Sequence, residues 1–315
     1  MNTKKQEGEA LTVIKENITF NSDGIKLAAH LYLPSGAVNE KPGPAIVVGH
    51  PGTGVKEQTA GLYARLLAEK GFITLAYDAA YQGESEGWPR GLESPAQRVE
   101  DIKAAVSYLA TRTDVDASRI GVLGICASGG YGIAAAATDQ RIKAIATVSA
   151  ADVMRQFRYG GDGKQDPAVF QGMLAAAADD RASVAKGEDP GSFELFPAEE
   201  QAKAMGLHVY EGWKYYCTDQ GQHIRSAKKL QWKSVDLIAG FDAFRFADLI
   251  APRPLLMIVG SAADTAWVTD EALRNAKDPK ELYIIEGATH VDLYYKVPFV
   301  AHAASKLYDF FAANL

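Results

Sequence analysis

Arg119-Ile-Gly-Val-Leu-Gly-Ile-Cys-Ala-Ser-Gly-Gly-Tyr131 is the stretch on which the reading of the chain turns. It begins as a continuously apolar run, as expected of a strand buried on both faces. It then passes a tight turn and continues in small residues that suit a helix packed close to a sheet. Within it lies Gly124-x-Cys126-x-Ser128, a version of the small-x-nucleophile-x-small elbow that holds a reactive side chain on a strained turn between strand and helix. Bulk two residues before or after that side chain would collide with neighbouring backbone, so Gly124 and Ser128 fit. The free N–H groups and positive dipole end of the following helix point at residue 126. For a thiol this predicts a lowered pKa and a larger thiolate fraction. A second register, Cys126-x-Ser128-x-Gly130, would make Ser128 the nucleophile instead. The apolar run at 120–123 leads straight into Gly124-Ile125, which favours the turn at Cys126 and leaves Ser128 as its competitor.

Outward from this segment the chain alternates. Residues 14–20 and 25–33 flank Ser22-Asp23-Gly24 and predict a β-hairpin. Buried strands are predicted at 45–49, 72–77, 119–125 and 144–148. Helices are predicted at about 57–70, ended by Gly71, at 95–111 with Ser94 as N-cap and Pro95 in the first turn, and at 127–138. Strand–helix alternation implies parallel strands with right-handed crossovers, hence a doubly wound, mostly parallel α/β sheet. The rhythm stops at about residue 152 and resumes at 249 with strands at 254–260 and 282–285 and helices near 268–276 and from 298. The expected organisation is a flexible N-terminus over 1–12, an α/β core over 13–151 and 249–315, and a mainly helical cap insertion over 152–248.

A thiolate needs a base, and the base needs an orienting acid. Asp264 follows the strand at 254–260 and His290 follows the strand at 282–285. Both sit in loops at carboxyl ends of strands, where open α/β sheets build their sites. The candidate triad is therefore Cys126, Asp264 and His290, with Asp292 and Glu286 as weaker acids. The loop His50-Pro-Gly-Thr-Gly54 offers one oxyanion-hole N–H, assigned to Thr53 with Gly52 or Gly54 as alternatives, and Ala127 offers the other. His50 reads as a loop-structuring residue. His30, His208, His223 and His302 read as structural or surface residues. Trp88, Tyr159 and Trp213 are candidates for the wall of an acyl pocket. No histidine or cysteine spacing suggests a metal site, and residues 49–56 lack the Gly-Lys-Ser/Thr of a phosphate loop.

Composition limits the rest. The chain has 315 residues, 47% of them hydrophobic, enough for one large core. A net charge of −6 favours neither nucleic acid nor an anionic membrane surface. No apolar run reaches the roughly 20 residues that span a bilayer. The first ten residues carry no apolar stretch of signal type, and the two cysteines, Cys126 and Cys217, do not suggest a disulfide framework. A reducing cytoplasm is the expectation, with no cofactor, a small-molecule acyl substrate as partner, and room for a homodimer.

These motifs resemble the α/β-hydrolase superfamily from about residue 14 to the end. Gly-Ile-Cys-Ala-Ser-Gly-Gly is similar to dienelactone hydrolases, which lack so large an insertion. The set of His50-Pro-Gly-Thr-Gly-Val-Lys-Glu-Gln58, Gly124-Ile-Cys-Ala-Ser-Gly-Gly-Tyr131, Val259-Gly-Ser-Ala-Ala-Asp-Thr265 and Gly287-Ala-Thr-His290 looks closer to X-Pro dipeptidyl-peptidase-like hydrolases and to the polyketide transferase family. The resemblance implies the fold and the triad but no particular substrate. The expected activity is cleavage of an ester, thioester or lactone through an acyl-thioenzyme. Acyl transfer to an alcohol or amine is the second reading, and a non-catalytic receptor the third.

Overall fold

The apolar runs become one twisted sheet. The computed structural model describes residues 11–35 and 41–315. The chain opens with β1 (Val13–Ser22) and β2 (Ile25–Pro34), an antiparallel hairpin. Asp23 and Gly24, both left-handed at φ 48° and 84°, close it, as a two-residue turn between twisted strands requires. There follow β3 (Gly43–Gly49), α1 (Thr59–Ala68), β4 (Ile73–Tyr77), α2 (Pro95–Ala110), β5 (Val115–Ile125), α3 (Ala127–Thr138) and β6 (Ile142–Val148). The expected flexible N-terminus lies outside the described residues except for Leu11 and Thr12, whose backbones bond Glu69 and Ser35.

The segment between β6 and β9 holds α4 (Val153–Tyr159), α5 (Pro167–Ala185), β7 (Ser192–Glu194), α6 (Glu199–Ala204), α7 (Leu207–Cys217), β8 (Lys229–Gln231) and α8 (Lys233–Ala239). The core then resumes with β9 (Leu255–Gly260), α9 (Ala266–Asn275), β10 (Lys280–Ile285), α10 (Asp292–Tyr295) and α11 (Val297–Asn314). Strand order across the eight-stranded sheet is β1-β2-β4-β3-β5-β6-β9-β10. Every pairing from β4 to β10 is parallel, and the hairpin joins antiparallel through β2 and β4. Helices cover the faces of the parallel strands, so residues 45–48 of β3 and 255–259 of β9 are unbroken apolar runs rather than alternating ones. Among the described residues no helix is long and apolar enough to cross a membrane.

The inserted segment has a small apolar centre of its own, formed by Phe170, Ala177 and Val235. Tyr215, Tyr216, Ile238 and Phe244 pack instead into the main core. A charge cluster adds a second attachment. Lys56, fully buried, lies 2.7 Å from Asp78, 3.0 Å from Glu57 and 2.6 Å from Glu84. Arg225 of the inserted segment pairs with Glu57 and reaches Glu84 at 3.4 Å. The cluster thereby ties the loops after β3 and β4 to the insertion above them. Removing one partner of a buried pair leaves the other charge uncompensated. Lys56→Met is expected to cost about 3–5 kcal/mol in urea unfolding, and a Lys56→Met/Asp78→Asn double variant should recover part of that loss.

Candidate functional site

The site is built where β5 turns into α3. Cys126 has φ 53° and ψ −118°, a left-handed conformation that a side chain rarely adopts and that costs about 1–3 kcal/mol. Three backbone hydrogen bonds over-determine it. The Cys126 N–H donates to Val148 at 3.0 Å, and its carbonyl accepts from Gly129 at 2.8 Å and Ala151 at 2.9 Å. The turn is so tight that a Cβ on Gly124 would stand 2.1 Å from the Ser128 carbonyl oxygen, which explains the glycine before the turn. Backbone N–H groups of Ala127, at the start of α3, and of Gly52, in the loop after β3, lie near enough to Cys126 to pull its thiol down.

Ser128 does not face the same space. Its hydroxyl donates to the His50 carbonyl at 2.6 Å and accepts from Arg98 at 3.1 Å. Arg98 also donates to the His50 carbonyl at 2.8 Å and lies 3.5 Å from buried Glu93. His50 is locked into the same support, with Nδ1 2.6 Å from the Pro51 carbonyl and Nε2 accepting from Ala79 at 3.0 Å. Ser128, Arg98 and His50 thus brace the loop that presents Gly52. Thr53 sits one residue further along, left-handed at φ 61°, with its carbonyl accepting from Ser226 at 3.1 Å. Of this loop's N–H groups it is that of Gly52, one of the alternatives to Thr53, that acts on the thiol.

His290 is fully buried in the loop between β10 and α10. Ser149 donates to its carbonyl at 2.9 Å, and Thr289 and Asp292 bond reciprocally at 3.3 Å around it. Its Nδ1 lies 2.6 Å from Thr265 Oγ1 and its Nε2 lies 3.0 Å from the Tyr294 hydroxyl. That hydroxyl lines the same cavity as Cys126 and pulls its thiol down. The phenol of Tyr294 thus stands beside both the sulfur and the imidazole. Asp264, expected as the acid on His290, directs its carboxylate elsewhere: Oδ2 accepts the backbone N–H of His208 at 3.1 Å. His208, from α7, brings its ring edge-on to that of His290, with centroids 4.5 Å apart at 73°.

Electrostatics follow from burial. Burial pushes the Cys126 thiol above its ordinary value, while the bonds from Tyr294, Ala127 and Gly52 pull it down. Burial wins, contrary to the expectation from the helix terminus alone. Burial likewise holds His290 well below the usual histidine range, and neighbouring His208 adds to this. His208 is lowered by burial, opposed by Asp264. At neutral pH both thiol and imidazole rest uncharged.

Cys126 opens onto a cavity of about 360 Å³, within the usual size of small-molecule sites. Its walls are mainly apolar and come largely from the insertion, including Phe157, Met173, Phe193, Phe196, Val209 and Leu230. His208, Gly212 and Tyr216 present one face of α7 to it. The Tyr216 hydroxyl is buried without a hydrogen-bond partner. Trp88, Tyr159 and Trp213, expected in this wall, lie elsewhere. Trp88 is 74% exposed on a surface loop. Tyr159 packs edge-on to Trp267 beside a separate open depression. Trp213 stacks on Tyr210 at 6.3 Å. Large aromatic residues were natural candidates by area, but helix phase decides which face meets the cavity. Among the described residues no group of three or more ligating side chains could hold a metal.

Three residues of the site, Tyr294, Thr265 and His208, are not catalytic candidates by sequence, and Gly52 is one only as an alternative. Tyr294 lies four residues after His290, on the short helix α10 that follows the histidine loop. Thr265 adjoins Asp264. His208 carries no signal in the sequence around it.

Comparison with known proteins agrees with this architecture. The family described as X-Pro dipeptidyl-peptidase (S15 family) matches residues 23–251. Uncharacterized protein YcjY of Escherichia coli (strain K12) is 40% identical over 296 residues, covering 94% of this chain and 96% of that protein. The crystal structure of hypothetical protein PA2218 from Pseudomonas aeruginosa is similar at a TM-score of 0.88 and 33% identity, covering 100% of this chain and 98% of that one. Polyketide transferase grgF from Penicillium sp is 27% identical over 305 residues, covering 90% and 92% of the two chains.

The placement of the two side chains at the elbow separates their roles. Ser128→Ala is expected to keep turnover and lose about 1 kcal/mol of stability, whereas Cys126→Ala should fold normally and be inactive in a p-nitrophenyl ester or acyl-thioester assay. A folded, inactive Ser128→Ala would move the nucleophile to Ser128.

Proposed function

This chain belongs to the X-Pro dipeptidyl-peptidase (S15) family of α/β hydrolases, and on that premise we propose that it cleaves an ester, thioester or lactone through an acyl-thioenzyme on Cys126. The observation that carries this reading is the position of Cys126: a strained turn holds it in the wall of a mainly apolar cavity, beside the N–H groups of Ala127 and Gly52 and the Tyr294 hydroxyl that bonds His290. The sulfur attacks the substrate carbonyl as its proton leaves toward His290. The developing oxyanion is held by the N–H groups of Ala127 and Gly52, a contribution that typically reaches 10²–10³ in rate per donor. Collapse expels the leaving group, and water activated by His290 releases the acid. Thr265 holds Nδ1 and fixes the ring orientation. Asp264 stabilises the site through His208 rather than by a direct bond to His290 in this state, and the insertion acts as a cap over the acyl group.

The apolar, insertion-covered cavity also supports a second reading, transfer of the acyl group to an alcohol or amine, because excluding water slows the competing hydrolysis. The fungal relative carries the name polyketide transferase, a group-transfer activity. Product analysis by mass spectrometry with added alcohols separates the two: free acid alone favours hydrolysis, and a rising ester fraction favours transfer. Loss of turnover in Cys126→Ala together with a covalent acyl adduct on the wild type supports the shared intermediate, and turnover that survives the substitution overturns it.

The resting charges give a pH profile. A base works when deprotonated, so a His290 lowered by burial and by His208 stays competent below about pH 6.5, the ordinary histidine value. The acid limb of kcat/KM should fall below that value. Iodoacetamide alkylation of Cys126 should be slow at neutral pH and rise only above the ordinary thiol range, because burial keeps the thiol protonated. Fast alkylation that is flat from pH 6 to 8 would instead require a resting thiolate.

A further inference from the structure

The phenol between sulfur and imidazole has a consequence for how the proton moves. In the simplest triad, the nucleophile bonds the histidine directly. Here the Tyr294 hydroxyl lies 3.0 Å from His290 Nε2 and shares the cavity wall with Cys126, whose thiol it pulls down. A hydroxyl has one donor and two acceptor positions, so it can accept from S–H while donating to Nε2. His290 then carries its proton on Nδ1, which donates to Thr265 Oγ1 at 2.6 Å. Every hydrogen-bonding group in the row Cys126–Tyr294–His290–Thr265 has a partner in this arrangement. The Tyr294 ring is also fixed in place, edge-on to Tyr215 with centroids 5.3 Å apart and to His290 at 5.6 Å.

We infer that Tyr294 is a catalytic residue, a proton relay through which His290 deprotonates Cys126. The inference rests on the acyl-thioenzyme reading above. In acylation the S–H bond breaks and its proton passes to the Tyr294 oxygen, as the Tyr294 O–H proton passes to His290 Nε2. The sulfur pair forms the S–C bond, and the carbonyl π pair moves to the oxygen under the Ala127 and Gly52 N–H groups. Tyr294 ends as it began, a neutral phenol, and His290 ends as imidazolium with Nδ1 still on Thr265. Collapse of the tetrahedral species breaks the bond to the leaving group, which takes the proton back from His290 through the same hydroxyl. Burial keeps Tyr294 protonated in its own right, so the phenol passes a proton on without storing a charge.

Tyr294→Phe removes only the hydroxyl and keeps the ring packing. It is expected to lower kcat/KM by about 10²-fold, in the range of a lost general-base step, with little change in KM and in thermal midpoint. A proton inventory of acylation in mixed H2O and D2O should be curved for the wild type, from two protons in flight, and linear for Tyr294→Phe. Tyr216→Phe is the control: its hydroxyl lines the same cavity but bonds neither Cys126 nor His290, so it should keep the curved inventory. A linear wild-type inventory, or Tyr294→Phe retaining kcat/KM within about threefold, overturns the relay even if Cys126→Ala is inactive. Turnover that survives Cys126→Ala overturns the acyl-thioenzyme itself, so the two failures are distinct. The wild-type inventory needs no variant and stands if Tyr294→Phe does not fold.

Discussion

A single left-handed residue at the end of β5 sets the terms for the rest of the site. Cys126 is held at φ 53° by its bonds to Val148, Gly129 and Ala151, which come from β6, from α3 and from the loop after β6. The strain persists because three neighbouring elements agree on it. Those elements also fix what surrounds the sulfur. β6 continues into Ser149, whose hydroxyl anchors the His290 carbonyl. The start of α3 supplies the Ala127 N–H, and the serine two residues past the turn braces the loop that carries Gly52. Cys126, His290 and the N–H groups of Ala127 and Gly52 are thus positioned by one turn and its hydrogen bonds.

Much of this was legible in the sequence because it is local or periodic. The unbroken apolar runs marked the parallel strands, and Asp23-Gly24 marked the hairpin. The order of Cys126, Asp264 and His290 followed from which strands end nearby, and Gly124 chose the register of the elbow through a close approach to the Ser128 carbonyl. The partners of His290 were harder to read. Asp264 and Thr265 are consecutive, and the backbone leading into α9 decides which of them faces the imidazole. Tyr294 sits on a helix of four residues, too short to leave a periodic signature. The sequence also suggested a thiol made acidic by a helix terminus. Burial, which depends on the whole fold, outweighs that local effect.

The inserted segment was legible as an interruption but not as a wall. Its aromatic residues are spread over several short helices, and only three-dimensional packing decides which of them turn inward. α7 shows this most clearly. His208, Gly212 and Tyr216 face the cavity, whereas Trp213 on the same helix stacks against Tyr210. The largest side chain is therefore not the one that meets a ligand. The missing side chain at Gly212 counts as well, because a Cβ there would stand 2.9 Å from the Phe196 ring. The glycine lets the Phe196 ring pack directly on α7 in the cavity wall.

The protonated resting state of Cys126 bears on a different chemistry. Peroxide and other oxidants react with thiolate, not thiol, and their products beyond the sulfenic acid are hard to reverse. Cysteine enzymes that keep a standing thiolate expose their nucleophile to that damage between turnovers. In this fold the sulfur is buried, and burial pushes its thiol above the ordinary range, so it rests uncharged. The same desolvation that removes an acidic thiol gives the sulfur chemical durability, and under the proposed mechanism it ties the sulfur's reactivity to occupancy of the cavity above it.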